Sequence, residues 1–94
     1  MFAIAFDLST AAAKRHHPRG SAQAYIDIRQ TLEPHGFDRI QGSTYVARHE
    51  DLDRLHLALN ALHRLEWFGP SLKNIRVFRM EAGADFTEIL KSPR

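Results

Sequence analysis

Segments with strand-like and helix-like periodicity follow one another as strand, helix, strand, strand, helix, strand, and that order predicts an α+β fold. No linker, internal repeat or composition shift marks a second unit, so residues 1–94 are expected to form one domain. Two right-handed crossovers then place both helices on one face of a four-stranded antiparallel sheet, a ferredoxin-like βαββαβ arrangement with the first and third strands in the centre. A short C-terminal extension follows.

The first strand is FAIAFDL at 2–8, with Phe2, Ile4 and Phe6 on one face and Ala3, Ala5 and Asp7 on the other. Residues 9–20 read as a loop holding at most one helical turn, Thr10–His16, ended by Pro18 and Gly20. Ser21 is the expected N-cap of a helix over 22–33, in which Tyr25, Ile28 and Leu32 recur at helical spacing before Pro34 and Gly36 stop it. FDRIQ at 37–41 and STYVAR at 43–48 are two strands joined at Gly42, which supplies the backbone freedom of a tight corner. Glu50 and Asp51 favour a helix start, and the helix is expected over 51–66 with Leu52, Leu55, Leu59 and Leu62 as its buried stripe. Gly69 and Pro70 are stop signals, and KNIRVFRME at 73–81 is the last strand. The tail 82–94 holds one possible helical turn at Phe86–Leu90.

Composition excludes several classes. Apolar residues make up 44% and charged residues 26%, which is ordinary globular usage and not that of a disordered chain. The short apolar run at the N-terminus has no basic residues before it and meets Asp7 at once, so it reads as a strand and not as a signal peptide. No apolar run is long enough for a membrane span, and no membrane role is expected. Cysteine is absent, which removes disulfides and thiolate metal sites and fits a cytoplasmic protein. The net charge of +2 permits a polyanionic partner without requiring one.

Asp7 is the most informative residue. Its face of the sheet carries small Ala3 and Ala5 with large Phe78 and Met80, an apolar face that a second copy of the chain would cover. In such a homodimer two Asp7 carboxylates approach a twofold axis and repel unless a cation or shared proton lies between them. A hard divalent cation such as Mg²⁺ suits that oxygen site. The structural alternatives are that the tail covers the face and that Asp7 caps the next turn through a backbone N–H near Ser9 or Thr10. Lys14, Arg15, His16, His17 and Arg19 form the densest basic cluster, suited to phosphate contact or to simple solvation of a loop. His16 and His17 are able to act as general acid or base, but adjacent histidines in such a loop read first as idle surface residues. His49, His56 and His63 recur every seven residues, about 10 Å apart along a helix, too far for neighbouring members to share a metal. Gln41, Ser43 and Tyr45 lie at the corner of the middle strands, where they line a cleft or hold the turn. Trp67 and Phe68 read as core, and no glycine-rich nucleotide loop is present.

These segments are similar to the bacterial virulence-associated protein D (VapD) family. The resemblance is carried by FAIAFDL at 2–8, AYIDIRQTLEPHGF at 24–37, QGSTYV at 41–46, LEWF at 65–68, NIRVFRME at 74–81 and DFTEILKS at 85–92. Residues 9–20 and 47–64 depart from it. The resemblance implies a ferredoxin-like homodimer that cleaves RNA as a toxin, in some members beside a small antitoxin protein. It extends to small CRISPR-associated proteins in which an Asp at the end of the first strand is the proposed metal residue, and Asp7 matches that position. Many of those relatives act as DNA-binding scaffolds without using the Asp.

Two function classes follow. In the first, the chain is an endoribonuclease whose Asp7 carboxylates hold a divalent cation or activate water, with Lys14, Arg15 and Arg19 on the RNA backbone and Gln41, Ser43 and Tyr45 lining the cleft. In the second, it is a non-catalytic nucleic-acid-binding or assembly scaffold of the same fold. A small-molecule sensor is a weaker third reading, since the first loop holds only Gly20.

Overall fold

The computed structural model describes residues 1–80. The helical turn expected at Phe86–Leu90, and any covering of the sheet by the tail, lie outside the described residues. Four strands form one sheet: β1 (Phe2–Leu8), β2 (Phe37–Gln41), β3 (Thr44–Ala47) and β4 (Leu72–Arg79). Their order is β2-β3-β1-β4 with every neighbouring pair antiparallel, so β1 and β3 are central as expected.

Four helices accompany it: α1 (Thr10–His16), α2 (Ser21–Leu32), α3 (Leu52–His63) and α4 (Phe68–Ser71). The core lies between sheet and helices. Phe2, Ile4, Phe6 and Leu8 of β1 meet Ala24, Ile28 and Leu32 of α2 and Leu55, Ala58 and Leu62 of α3. Ile4, Ile28, Leu32, Leu62 and Phe37 are among the largest fully buried side chains. Truncating any of them to Ala removes roughly 2–5 kcal/mol. Trp67 and Phe68 belong to the same core.

Several local expectations are corrected. Residues 10–16 are a two-turn helix and not a loop, because the Ser9 hydroxyl accepts the Ala12 N–H at 3.2 Å and Ala12 and Ala13 are buried. Ser21 does not cap α2; Gly20, at φ 89°, precedes the helix and no side chain caps it. Asp51 does cap α3, accepting from the Asp53 and Arg54 N–H groups. Leu52 is exposed, since it starts the helix before α3 reaches the sheet; Ala58 joins Leu55 and Leu62 in the stripe instead. Gly69 and Pro70 do not end structure but sit in α4, where proline in a first turn has no N–H to lose.

The sheet's other face differs from the expectation of broad bare apolar surface. Ala3 is flanked in register by Val46 and Phe78, and Ala5 by Thr44 and Arg76. Ala3, Thr44 and Val46 are buried and Phe78 is half-buried, while Arg76 is exposed.

Candidate active site

Asp7 stands at the end of this second face. β3 begins at Thr44, opposite Ala5, so no β3 residue pairs with Asp7. On that side the chain turns at Gly42, whose φ is 44°, and the Ser43 carbonyl accepts the Phe6 N–H at 3.1 Å. On the other side Asp7 pairs with Asn74, and a register shift between Asp7 and Leu8 leaves Lys73 as the extra residue. Directly paired side chains stand about 5 Å apart at Cβ, and diagonal ones about 7–8 Å. Asn74 is thus the direct neighbour of Asp7, and Arg76, two residues along the same face, is its diagonal neighbour. Asp7 is half-buried while Lys73, Asn74 and Arg76 are exposed. None of the four ion pairs among the described residues includes Asp7, and the cap of the following turn is Ser9. Among the described residues the carboxylate thus has an amide residue directly beside it, a cation on its diagonal and no ion-pair partner.

The other sequence candidates divide. Ser43 is buried and lies against the backbone next to Asp7, and Gln41, paired with Thr44, is exposed on the same face of the sheet. Lys14 and Arg15 are exposed in the last turn of α1, roughly 6 Å or more along its axis from its start. Tyr45 faces the helices, stacked on Phe6 with ring centroids 6.1 Å apart. Burial pushes its phenol pKa up, so the hydroxyl keeps its proton at neutral pH.

Arg19 belongs to a different corner. It lines a cavity of about 240 Å³ with His17, Pro18, Gln23, Asp27 and Trp67. His17 is buried, contrary to its reading as a surface residue. Its Nε2–H donates to Asp27 Oδ2 at 2.6 Å, its Nδ1 accepts the Arg19 N–H at 2.9 Å, and its ring meets Trp67 edge-on at 4.7 Å. Both ring nitrogens are occupied within the chain, so the pair fixes the α1–α2 corner and leaves no nitrogen to take a substrate proton. The hydrogen bond from Gln23, followed by that from His17, holds the Asp27 carboxyl below the usual carboxylate range.

A larger cleft of about 440 Å³ opens between α2 and the β2–β3 hairpin, lined by Tyr25, Ile26, Arg29, Arg39, Gly42, Ser43 and Tyr45. Ser43 and Tyr45, expected to line a cleft beside Asp7, line this one, and Tyr45 does so from the helix face of the sheet, opposite the face of Asp7. Tyr25, Arg29 and Arg39 were not legible in the sequence as cleft residues, and neither were Lys73, Asn74 and Arg76 as neighbours of Asp7, because only strand register and helix packing bring them to these places.

No group of three or more His, Asp or Glu side chains that could hold a metal occurs among the described residues. No helix among them is long and apolar enough to cross a membrane.

No family model matches the chain. Individual relatives do. The chain is 49% identical over 92 residues to a protein of Neisseria gonorrhoeae named endoribonuclease VapD homolog, covering 98% of this chain and 100% of that one. It is 44% identical over 92 residues to endoribonuclease VapD of Haemophilus influenzae, with the same coverage. The chain belongs to the VapD family. A third VapD, from Helicobacter pylori, is 43% identical over 94 residues, again covering 98% of this chain and 100% of the relative. With 98% of the chain covered, these matches take in segments 9–20 and 47–64 as well.

Proposed function

We propose that this chain is an endoribonuclease, as its VapD relatives are named, and that Asp7 is its catalytic carboxylate. The observation that carries the reading is the position of Asp7. It ends a central strand beyond the reach of β3, half-buried, outside every described ion pair, with Asn74 beside it and Arg76 on its diagonal.

The chemistry follows from those neighbours. Asp7 accepts the proton of the oxygen that attacks the phosphorus, whether water or the ribose 2′-hydroxyl. The bond from phosphorus to the leaving ribose oxygen breaks, and that oxygen leaves with a proton from solvent. Negative charge builds on the phosphoryl oxygens, where Arg76 and Lys73 offset it and Asn74 donates a hydrogen bond. Lys14 and Arg15 add phosphate contacts beyond the cleavage point, while Arg19 contributes only where RNA reaches the α1–α2 corner.

Among the described residues of one chain, Asp7 belongs to no group of three or more His, Asp or Glu side chains that would hold a cation. A homodimer paired through the Asp7 face would bring two Asp7 carboxylates together, and those residues would hold a Mg²⁺. Such an ion supplies charge neutralisation and a more acidic water. Ala5, half-buried and with no side chain beyond Cβ, lets a second sheet come close at the Asp7 end of this face.

The test is cleavage of a defined RNA with mapped product ends. Purified wild-type protein is expected to cut internally with activity tracking the protein peak, and Asp7→Ala to lose about 10²-fold or more of the rate. A cyclic or 3′-phosphate end shows attack by the 2′-hydroxyl, and a 5′-phosphate end shows attack by water. Salt-sensitive RNA binding without turnover replaces the enzyme by a scaffold.

A further inference from the structure

The cleft between α2 and the β2–β3 hairpin takes no part in the chemistry assigned to Asp7, yet it holds groups suited to gripping a nucleotide. Tyr25 and Ile26 are exposed, at 37% and 48%. Arg39 donates through Nε to the Gly42 carbonyl at 2.9 Å, and Arg29 through Nε to Glu33 Oε1 at 2.8 Å. Each bond fixes the direction of a guanidinium while using only its inner nitrogen, which leaves the terminal amino groups for the oxygens of a phosphate. Both guanidiniums act on the Tyr45 phenol, which places the positive charge around a hydroxyl that burial keeps protonated. Glu33, paired with Arg29, acts on the same phenol and offsets part of that charge, but it is not among the described residues that line the cleft, so Arg39 is the less compensated cation.

Position ties the cleft to Asp7. Ser43 lines the cleft with its own atoms, and its carbonyl holds Phe6, the residue before Asp7. Strands in a sheet are about 4.8 Å apart, so β2 stands roughly 10 Å from β1. Asp7 stands on the sheet face away from the helices and Arg39 with Tyr45 on the helix face, so a strand of RNA joins the two by passing over the end of the sheet at the Gly42 turn.

We propose that this cleft is a subsite for a nucleotide flanking the cleaved bond of single-stranded RNA, its phosphate held by Arg29 and Arg39 and its base stacked on Tyr25. The proposal rests on the endoribonuclease reading above. Single-stranded RNA is the chemistry that uses all three groups at once: two forked cations for a phosphate and an exposed aromatic ring for an unpaired base. The grip is not base-specific, since every base has a face to stack.

Steady-state cleavage of a labelled single-stranded RNA by the full chain tests it. Tyr25 is exposed and truncating it does not threaten the core, so Tyr25→Ala is expected to raise KM about tenfold with kcat retained, as loss of one stacked base implies. Tyr25→Phe keeps the ring and restores most of that affinity. Arg39→Gln is expected to raise KM and to make the dependence of log affinity on log salt shallower by about 0.7, one single-strand phosphate contact. Because Arg39 also steadies the Gly42 turn, its thermal melt is read alongside, and Tyr25→Ala decides if Arg39→Gln is poorly folded. Unchanged KM in Tyr25→Ala, with wild-type protein cleaving RNA, overturns the subsite and leaves the endoribonuclease reading standing. Wild-type protein that does not cleave overturns that reading, and the subsite falls with it.

Discussion

At the scale of single residues, two Asp side chains with the same chemistry do opposite work. Asp27 is consumed by the chain: Gln23 and His17 both donate to it, and the pair locks Arg19's backbone through the second ring nitrogen of His17. Asp7 is in no described ion pair. The first should appear in stability and the second in activity. The Asp27 pKa is depressed in the folded chain, so its contribution is fully present above its unfolded value and is lost as pH falls through the lower folded one. Asp27→Asn still accepts from His17 but without charge. We expect it to be about 1 kcal/mol less stable at neutral pH, with the gap to wild type closing from about pH 4 downward. Thermal melts across pH 3–7 check this, and a gap that stays constant would contradict the charge-based account. His17 also shows where reading by neighbours fails. Basic residues around it suggest a surface position, and only the packing of Trp67 against the α1–α2 corner reveals a buried ring.

At the scale of elements, the order of strands and helices was legible because periodicity switches cleanly between two and about three and a half residues. The failures sit at element ends, where one hydrogen bond outweighs pattern. Ser9 turns an expected loop into α1, and Gly20 takes the place assigned to Ser21. Gly36 is the sharpest of these ends. It ends the short helical turn Glu33–His35 at φ 84° and leads into β2. A Cβ there would stand 2.9 Å from Arg54 Nη2 and 3.0 Å from His49 Cδ2. The His49 ring is itself held, donating to the His35 carbonyl at 3.0 Å and packing edge-on against Phe37. Gly36→Ala is therefore expected to cost about 1–3 kcal/mol, measured by chemical denaturation, although it adds one methyl group. A loss under 0.5 kcal/mol would show that the turn relaxes freely. The candidate site escaped sequence reading for a related reason. Tyr25 and Arg39 are separated by most of a helix and a strand, and Asp7 and Arg76 by nearly the whole chain; only the β2-β3-β1-β4 order makes them neighbours.

At the scale of the whole molecule, the sheet separates two tasks. One face supports the core beneath α2 and α3, and the other ends in Asp7 with Asn74 and Arg76 beside it. The sequence reading placed Asp7 on that face correctly, but it overstated how bare the face is, because Ala3, Thr44 and Val46 are already buried. A dimer closed through this face depends on the small residues beside Asp7. Ala5→Lys should then shift the protein from dimer to monomer in analytical ultracentrifugation while the melt stays cooperative; a dimer that persists would move the interface elsewhere. The account as a whole turns on Asp7 acting in the chemical step and not in folding or RNA capture. Single-turnover cleavage by Asp7→Asn protein, saturated with RNA and shown to be folded and to bind as wild type does, isolates that step. A rate lower by two or more orders of magnitude is the predicted result, and a rate within a few-fold of wild type would contradict it.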